Sequence, residues 1–106
     1  MGRQAQQREQ LQIELEELLG SRNVYFQPPP SLRMAYPAIV YSRDRIVSRN
    51  ANNEIYKTDV AYLVTVIDED PDSEIVEKVS QFRNASGHRH YESDGLNHDT
   101  FTIYMK

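Results

Sequence analysis

The chain reads as an α+β protein, a mostly antiparallel sheet of about four strands with two helices packed on it in the order α-β-β-α-β-β. Two segments place apolar residues at helical spacing, and four others are β-branched and aromatic runs. The strand runs also come in pairs, with no single strand alternating with a helix, which favours helices segregated on an antiparallel sheet. With 106 residues there is room for one domain over 1–106 and not for two.

Residues 3–19 carry Leu11, Leu15, Leu18 and Leu19 on one helical face, with Gln, Glu and Arg on the other, and Gly20 supplies a stop. An N-terminal helical unit over 1–20 is therefore expected. The next stretch, residues 23–43, reads NVYFQPPPSLRMAYPAIVYSR. Pro28, Pro29, Pro30 and Pro37 fix their own φ, lack an amide donor and push the preceding residue out of the helical region, so residues 23–37 should form a stiff, extended arm. Val24, Tyr25, Phe26, Leu32 and Met34 on that arm need burial, either in the domain's own core or against a neighbouring copy of the chain.

Residues 38–46 and 56–67 are the next strand runs. The second is apolar at both alternating sets, Val60, Tyr62, Val64 and Val66 against Ala61, Leu63, Thr65 and Ile67, which predicts a central strand covered on both sides. Asn50, Asn52 and Asn53 favour a turn between the runs, giving a hairpin whose tip projects beyond the core. Asp70 followed by Pro71 reads as a helix N-cap with proline at the first helical position. Ile75, Val79 and Phe82 then make one apolar stripe, ended by residues 84–87. Two last strands, 88–92 and 97–105, flank a turn at Ser93, Asp94 and Gly95.

The formal charge of −4 disfavours a dedicated nucleic-acid binder, whose affinity comes largely from cationic contacts to phosphate. Cysteine is absent, which removes disulfides and thiolate chemistry and fits an intracellular origin. No run approaches the length of a membrane span, and the first residues hold no apolar signal core. There is no Gly-x-Ser-x-Gly elbow and no Gly-rich phosphate loop, so neither a catalytic set nor a cofactor site is expected. Asp68, Asp70 and Asp72 start like a calcium loop, but Ser73 and Val79 replace the glycine and glutamate that such a loop needs. Helix-start acids are the simpler reading. His88 and His90 should share one face of a strand, with His98 within reach across the hairpin; they are weak candidates for a metal set, because histidines also fill sheet edges. Arg43, Arg45 and Arg49, near Tyr41 and Tyr56, fit a nucleic-acid contact, a charge-protected edge or a subunit interface.

Three segments, VYFQPPPSLRMAYPAIVYSR, YLVTVIDEDPDSEIVEKV and RHYESDGLNHDTFTIY, carry a family likeness. Together they resemble the tail terminator or head-to-tail joining (tail completion) proteins of long-tailed bacteriophages, and the resemblance runs through most of the chain from Asn23 onward. It implies a non-enzymatic virion protein of the phage neck, assembled in the bacterial host cytoplasm. Such a protein forms a homo-oligomeric ring, expected to be hexameric, that caps the tail tube and joins it to the head-tail connector or adaptor. DNA would only pass through the lumen, and no membrane is involved. Tyr25, Phe26, Leu32, Met34, Arg43, Arg45 and Arg49 are the expected contacts between subunits or with partners. A head-completion or other minor capsid protein is the alternative within that class, and a small nucleic-acid-binding regulatory module is the alternative outside it.

Overall fold

The computed structural model describes residues 3–51, 54–83 and 85–105, with backbone alone at 3, 4, 47–51 and 54–58. Helix α1 (Arg3–Leu19) is followed by strands β1 (Val24–Phe26), β2 (Ala38–Ala51) and β3 (Glu54–Asp68). Helix α2 (Glu74–Ser80) and strands β4 (Ser86–Ser93) and β5 (Leu96–Met105) complete the chain. The strands form one sheet in the order β1-β2-β3-β5-β4, with β1 parallel to β2 and all other neighbours antiparallel. The class is α+β as expected, but the sheet has five strands and is mixed. The extra strand lies inside the proline-rich arm, where Val24, Tyr25 and Phe26 pair with Ile39, Val40 and Tyr41. The arm is therefore extended only in part, and a turn closed by the Leu32 amide on the Pro29 carbonyl at 3.0 Å bends its middle. The Tyr36–Pro37 peptide bond is cis.

Helix α1 ends where Gly20 takes φ +81°, a conformation that costs glycine little, and donates its amide to the Glu16 carbonyl at 2.8 Å. Leu11 and Leu15 from α1 and Val79 from α2 are buried in one cluster with Ile39, Tyr41, Val60, Tyr62, Val64, Val66, Phe101, Ile103 and Met105. The register puts these sheet residues on one face, since Tyr41 and Phe101 both stand opposite Val64, and Ile103 opposite Tyr62. Strand β5 alternates strictly between buried and half-buried positions, as a strand with one covered face should.

The expectation that the central strand is covered on both sides is corrected. On its other face Ala61 and Ile67 are buried, but Leu63 is 41 % exposed, and the buried residues of both helices belong to the first face. Alternation alone cannot count the helices available to cover a sheet, and here one short helix and one longer one serve a single side.

Two local expectations also change. The cap of α2 is Ser73, whose hydroxyl accepts from the Ile75 amide at 3.3 Å, and not Asp70. Asp68 and Asp70 instead accept from the amides of Asp70 and Asp72 at 3.0 and 2.9 Å, two successive Asx turns that hold the approach to the helix extended. The helix stops at Ser80, so Phe82 lies in the following turn and still packs against the core. Asp94 and Gly95, both at positive φ, make the tight β4–β5 turn. Asn52, Asn53 and Asn84, invoked for the hairpin turn and the helix end, lie outside the described residues.

One residue on the inner stripe of α1 is mismatched. Gln7 precedes Leu11 and Leu15 at successive i, i+4 steps, and its amide nitrogen is buried without a hydrogen-bond partner. Gln7→Leu should raise stability by about 1 kcal/mol and the thermal midpoint by roughly 4–8 °C, as read by calorimetry. An unchanged or lower midpoint would show that the amide is satisfied.

Candidate functional site

The surface with the densest chemistry is a groove between the first half of α1 and strands β1 and β2. Gln12 organises it. Its amide nitrogen donates to the Val24 carbonyl at 3.0 Å and to Glu16 at 2.9 Å, while its amide oxygen accepts from the Tyr41 hydroxyl. One side chain thus ties the helix to both members of the parallel pair. The Tyr41 ring packs 5.0 Å from Phe26 and 6.0 Å from Tyr62, and the Arg8 guanidinium lies 4.7 Å over Phe26. Burial pushes the Tyr41 phenol up to about 12, partly opposed by the positive field of Arg8, and burial raises Tyr62 as well. Two adjoining hollows result. One of about 360 Å³ is lined by Arg8, Glu9, Gln12, Ile13, Phe26 and Tyr41. The other, of about 280 Å³, includes Arg8, Phe26, Gln27, Arg43 and Tyr62.

The structure divides the arm's expected contact residues. Val24 and Phe26 join this chain's own core, and Tyr25, half-buried, stands on the opposite face of the sheet. Met34 is half-buried, whereas Leu32 is 39 % and Tyr36 38 % exposed on the loop over residues 27–37. Sequence reasoning put Phe26 and Leu32 in one class because the arm looked uniformly extended. It missed Tyr36 and Ile13, although an isoleucine among Gln and Glu on the outer side of a helix was a legible signal.

The arginines are also separated. A β-bulge between Arg43 and Arg45 makes Asp44 the extra residue, so Arg43 stands opposite Tyr62 on the helix-covered face and Arg45 opposite Ala61 on the other. Arg45 donates to the Tyr104 hydroxyl at 2.8 Å there. The side chains of Arg49 and Tyr56 lie outside the described residues.

The histidines do not converge. His88 and His90 share the helix-covered face at the free edge of β4, bonded to Asp99 at 2.8 Å and Asn97 at 3.2 Å. His98 points to the opposite face and stacks on Tyr91, with ring centroids 4.7 Å apart. Among the described residues no three His, Asp or Glu side chains are gathered to hold a metal. The carboxylates of Asp68 and Asp70 are turned to backbone amides, and Asn97 closes their turn by donating to the Asp68 and Glu69 carbonyls.

No family model matches the sequence, and no curated protein matches it significantly.

The raised Tyr41 phenol gives a pH signature. Below about pH 10 the hydroxyl is neutral in both folded and unfolded chains, and its contribution to stability is complete. As pH rises from about 10 towards 12 the unfolded chain ionises first, and stability should fall by roughly 1–2 kcal/mol. Tyr41→Phe should lose about 1 kcal/mol at neutral pH through the missing bond to Gln12, but be spared this alkaline loss. Urea unfolding of the two proteins at stepped pH should therefore converge above about pH 11; a constant gap would count against the burial argument.

Proposed function

We propose that this chain is a structural virion protein of a tailed-phage neck, forming a hexameric ring that caps the tail tube and joins it to the head connector. The family resemblance of residues 24–43, 62–79 and 89–104 supplies the reading, and one feature of the fold supports it best. Strand β5 pairs with β3 only from Val60 onward, and β1 pairs with β2 only over Ile39 to Tyr41. Residues 47–51 and 54–59 therefore pair only with one another, as a two-stranded ribbon beyond the sheet.

A lone hairpin of two strands is marginal in water. A ribbon maintained at that length is explained if its stable partner is another subunit. A ring subunit needs two dissimilar surfaces that meet head to tail and close by rotation. The ribbon, the proline-locked loop and the open sheet face around Leu63 lie on different parts of the chain and supply such surfaces.

The test is direct imaging of the purified protein with tail tubes, supported by mass measurement of the free assembly. The expected outcome is closed rings of six subunits seated at the head-proximal tube end. Binding to the connector without binding to the tube would favour the head-completion alternative. The nucleic-acid reading, which Arg43 and Arg45 would carry, requires salt-dependent binding to duplex DNA at physiological ionic strength by a protein that forms no rings.

A further inference from the structure

We propose that the loop over residues 28–36 of one copy seats on the groove between α1 and β1 of the next, with Leu32 entering beside Ile13 and Phe26 and Arg33 meeting the acidic outer stripe of α1. The inference rests on the ring reading and specifies which surfaces meet in it.

The groove has an apolar floor and a charged rim. Its floor is Phe26 and Tyr41, with the Arg8 guanidinium 4.7 Å over the Phe26 ring at one end, and Ile13 stands at its edge 52 % exposed, in the middle of an otherwise polar helix face. Glu9 and Glu17, both exposed, flank Ile13 at i−4 and i+4, so an apolar knob sits between two carboxylates. The other half of the match is the loop. Pro28, Pro29 and Pro30 fix their backbone, and the Leu32 amide closes a turn on the Pro29 carbonyl, which presents Leu32 with little freedom left to lose on binding. From Gln27 to Pro37 the loop has a single charge, the exposed Arg33, and no carboxylate.

Along the Glu9–Ile13–Glu17 stripe, away from the Arg8 end of the groove, apolar-plus-cationic therefore faces apolar-plus-anionic. Both halves of this match lie on the same chain at different places, and no residue of 28–36 lines the groove within its own subunit. A second copy is the occupant that satisfies both, through a heterologous contact of the kind a ring repeats. The leucine supplies burial, and the charge pair at the rim sets orientation and partner choice more than affinity.

The absence of cysteine makes a clean test available. The full chain carrying Leu32→Cys and Ile13→Cys is concentrated to the point where the wild type assembles, then mildly oxidised and run on a non-reducing gel. The expected result is a ladder of disulfide-linked oligomers, and mixing the two single variants should give a dimer; disulfide formation demands Cα atoms about 4.4–6.8 Å apart. In parallel, Arg33→Glu should weaken assembly by about tenfold at unchanged thermal midpoint, with recovery when Glu9→Arg and Glu17→Arg are added.

A disulfide formed within single chains overturns the proposal. So do rings that assemble normally without a ladder and are indifferent to Arg33→Glu, an outcome that leaves the ring reading standing. Wild-type chain that stays monomeric to about 1 mM, with or without tail tubes, overturns both together.

Discussion

A five-stranded sheet whose helical cover reaches only one face is the constraint on which the rest of this structure depends. α1 and the seven-residue α2 put their buried residues into one cluster with one side of β2, β3 and β5. Everything on that side follows the demand for burial. Tyrosines 41 and 62 are sunk, Tyr41 with its hydroxyl on Gln12, Phe101 and Ile103 alternate with half-buried threonines, and the inner stripe of α1 is mainly leucine. At roughly 25 cal/mol per Å² of apolar surface, this cluster dominates any single polar contact in the molecule. The opposite face has no such cover. It relies on small or sheltered residues such as Ala38 and Ala61, and on hydroxyl-bearing positions at Thr65, Thr100 and Thr102, with Leu63 left exposed.

Polar contacts then fix how the cover sits. The bidentate pair between Arg83 and Glu14, with oxygens 2.8–3.1 Å from the guanidinium, links the turn after α2 to α1, but an exposed pair of this kind contributes no more than about 1 kcal/mol. Gln12 matters more for geometry. Its amide reaches β1 and β2 together from a half-buried position, so rotation of α1 about its axis breaks two bonds at once. Because the groove walls are α1 and these strands, the same amide that registers the helix also holds the shape of the candidate contact surface.

The legibility of each element in the sequence tracks how local its cause is. The bounds of α1 follow from its leucine spacing and Gly20, and the β4–β5 turn follows from Asp94-Gly95; neither needs information from elsewhere in the chain. Strand β1 is different. Val24, Tyr25 and Phe26 are good strand formers, but three residues are too few to hold a strand alone, and they become one where Ile39 to Tyr41 offer an edge in parallel register. The cap of α2 is expected at Asp70 and lies three residues later at Ser73, a shift that residue type alone does not reveal. Consecutive Asx turns use up Asp68 and Asp70 before the helix begins. The groove was half legible. Phe26 and the arm stood out by type, whereas Gln12, a polar residue on the inner side of a polar-looking helix, showed no sign of its role.

The bulge at Asp44 connects these levels. In an unbroken strand Arg43 and Arg45 would share a face and form the start of a cationic strip along the ribbon. One inserted residue sends them to opposite faces, Arg43 towards the groove and Arg45 to Tyr104. A strip tuned to a phosphate backbone needs its cations on one side at regular spacing, and this backbone spends a residue to break that spacing. The same bulge increases local twist where β2 loses its β1 neighbour, which turns the unpaired edge of the ribbon away from indiscriminate strand pairing. A ribbon that pairs only with itself beyond the sheet, with a bulge at its root that breaks the regular edge, is the part of this fold on which the proposed assembly role depends most.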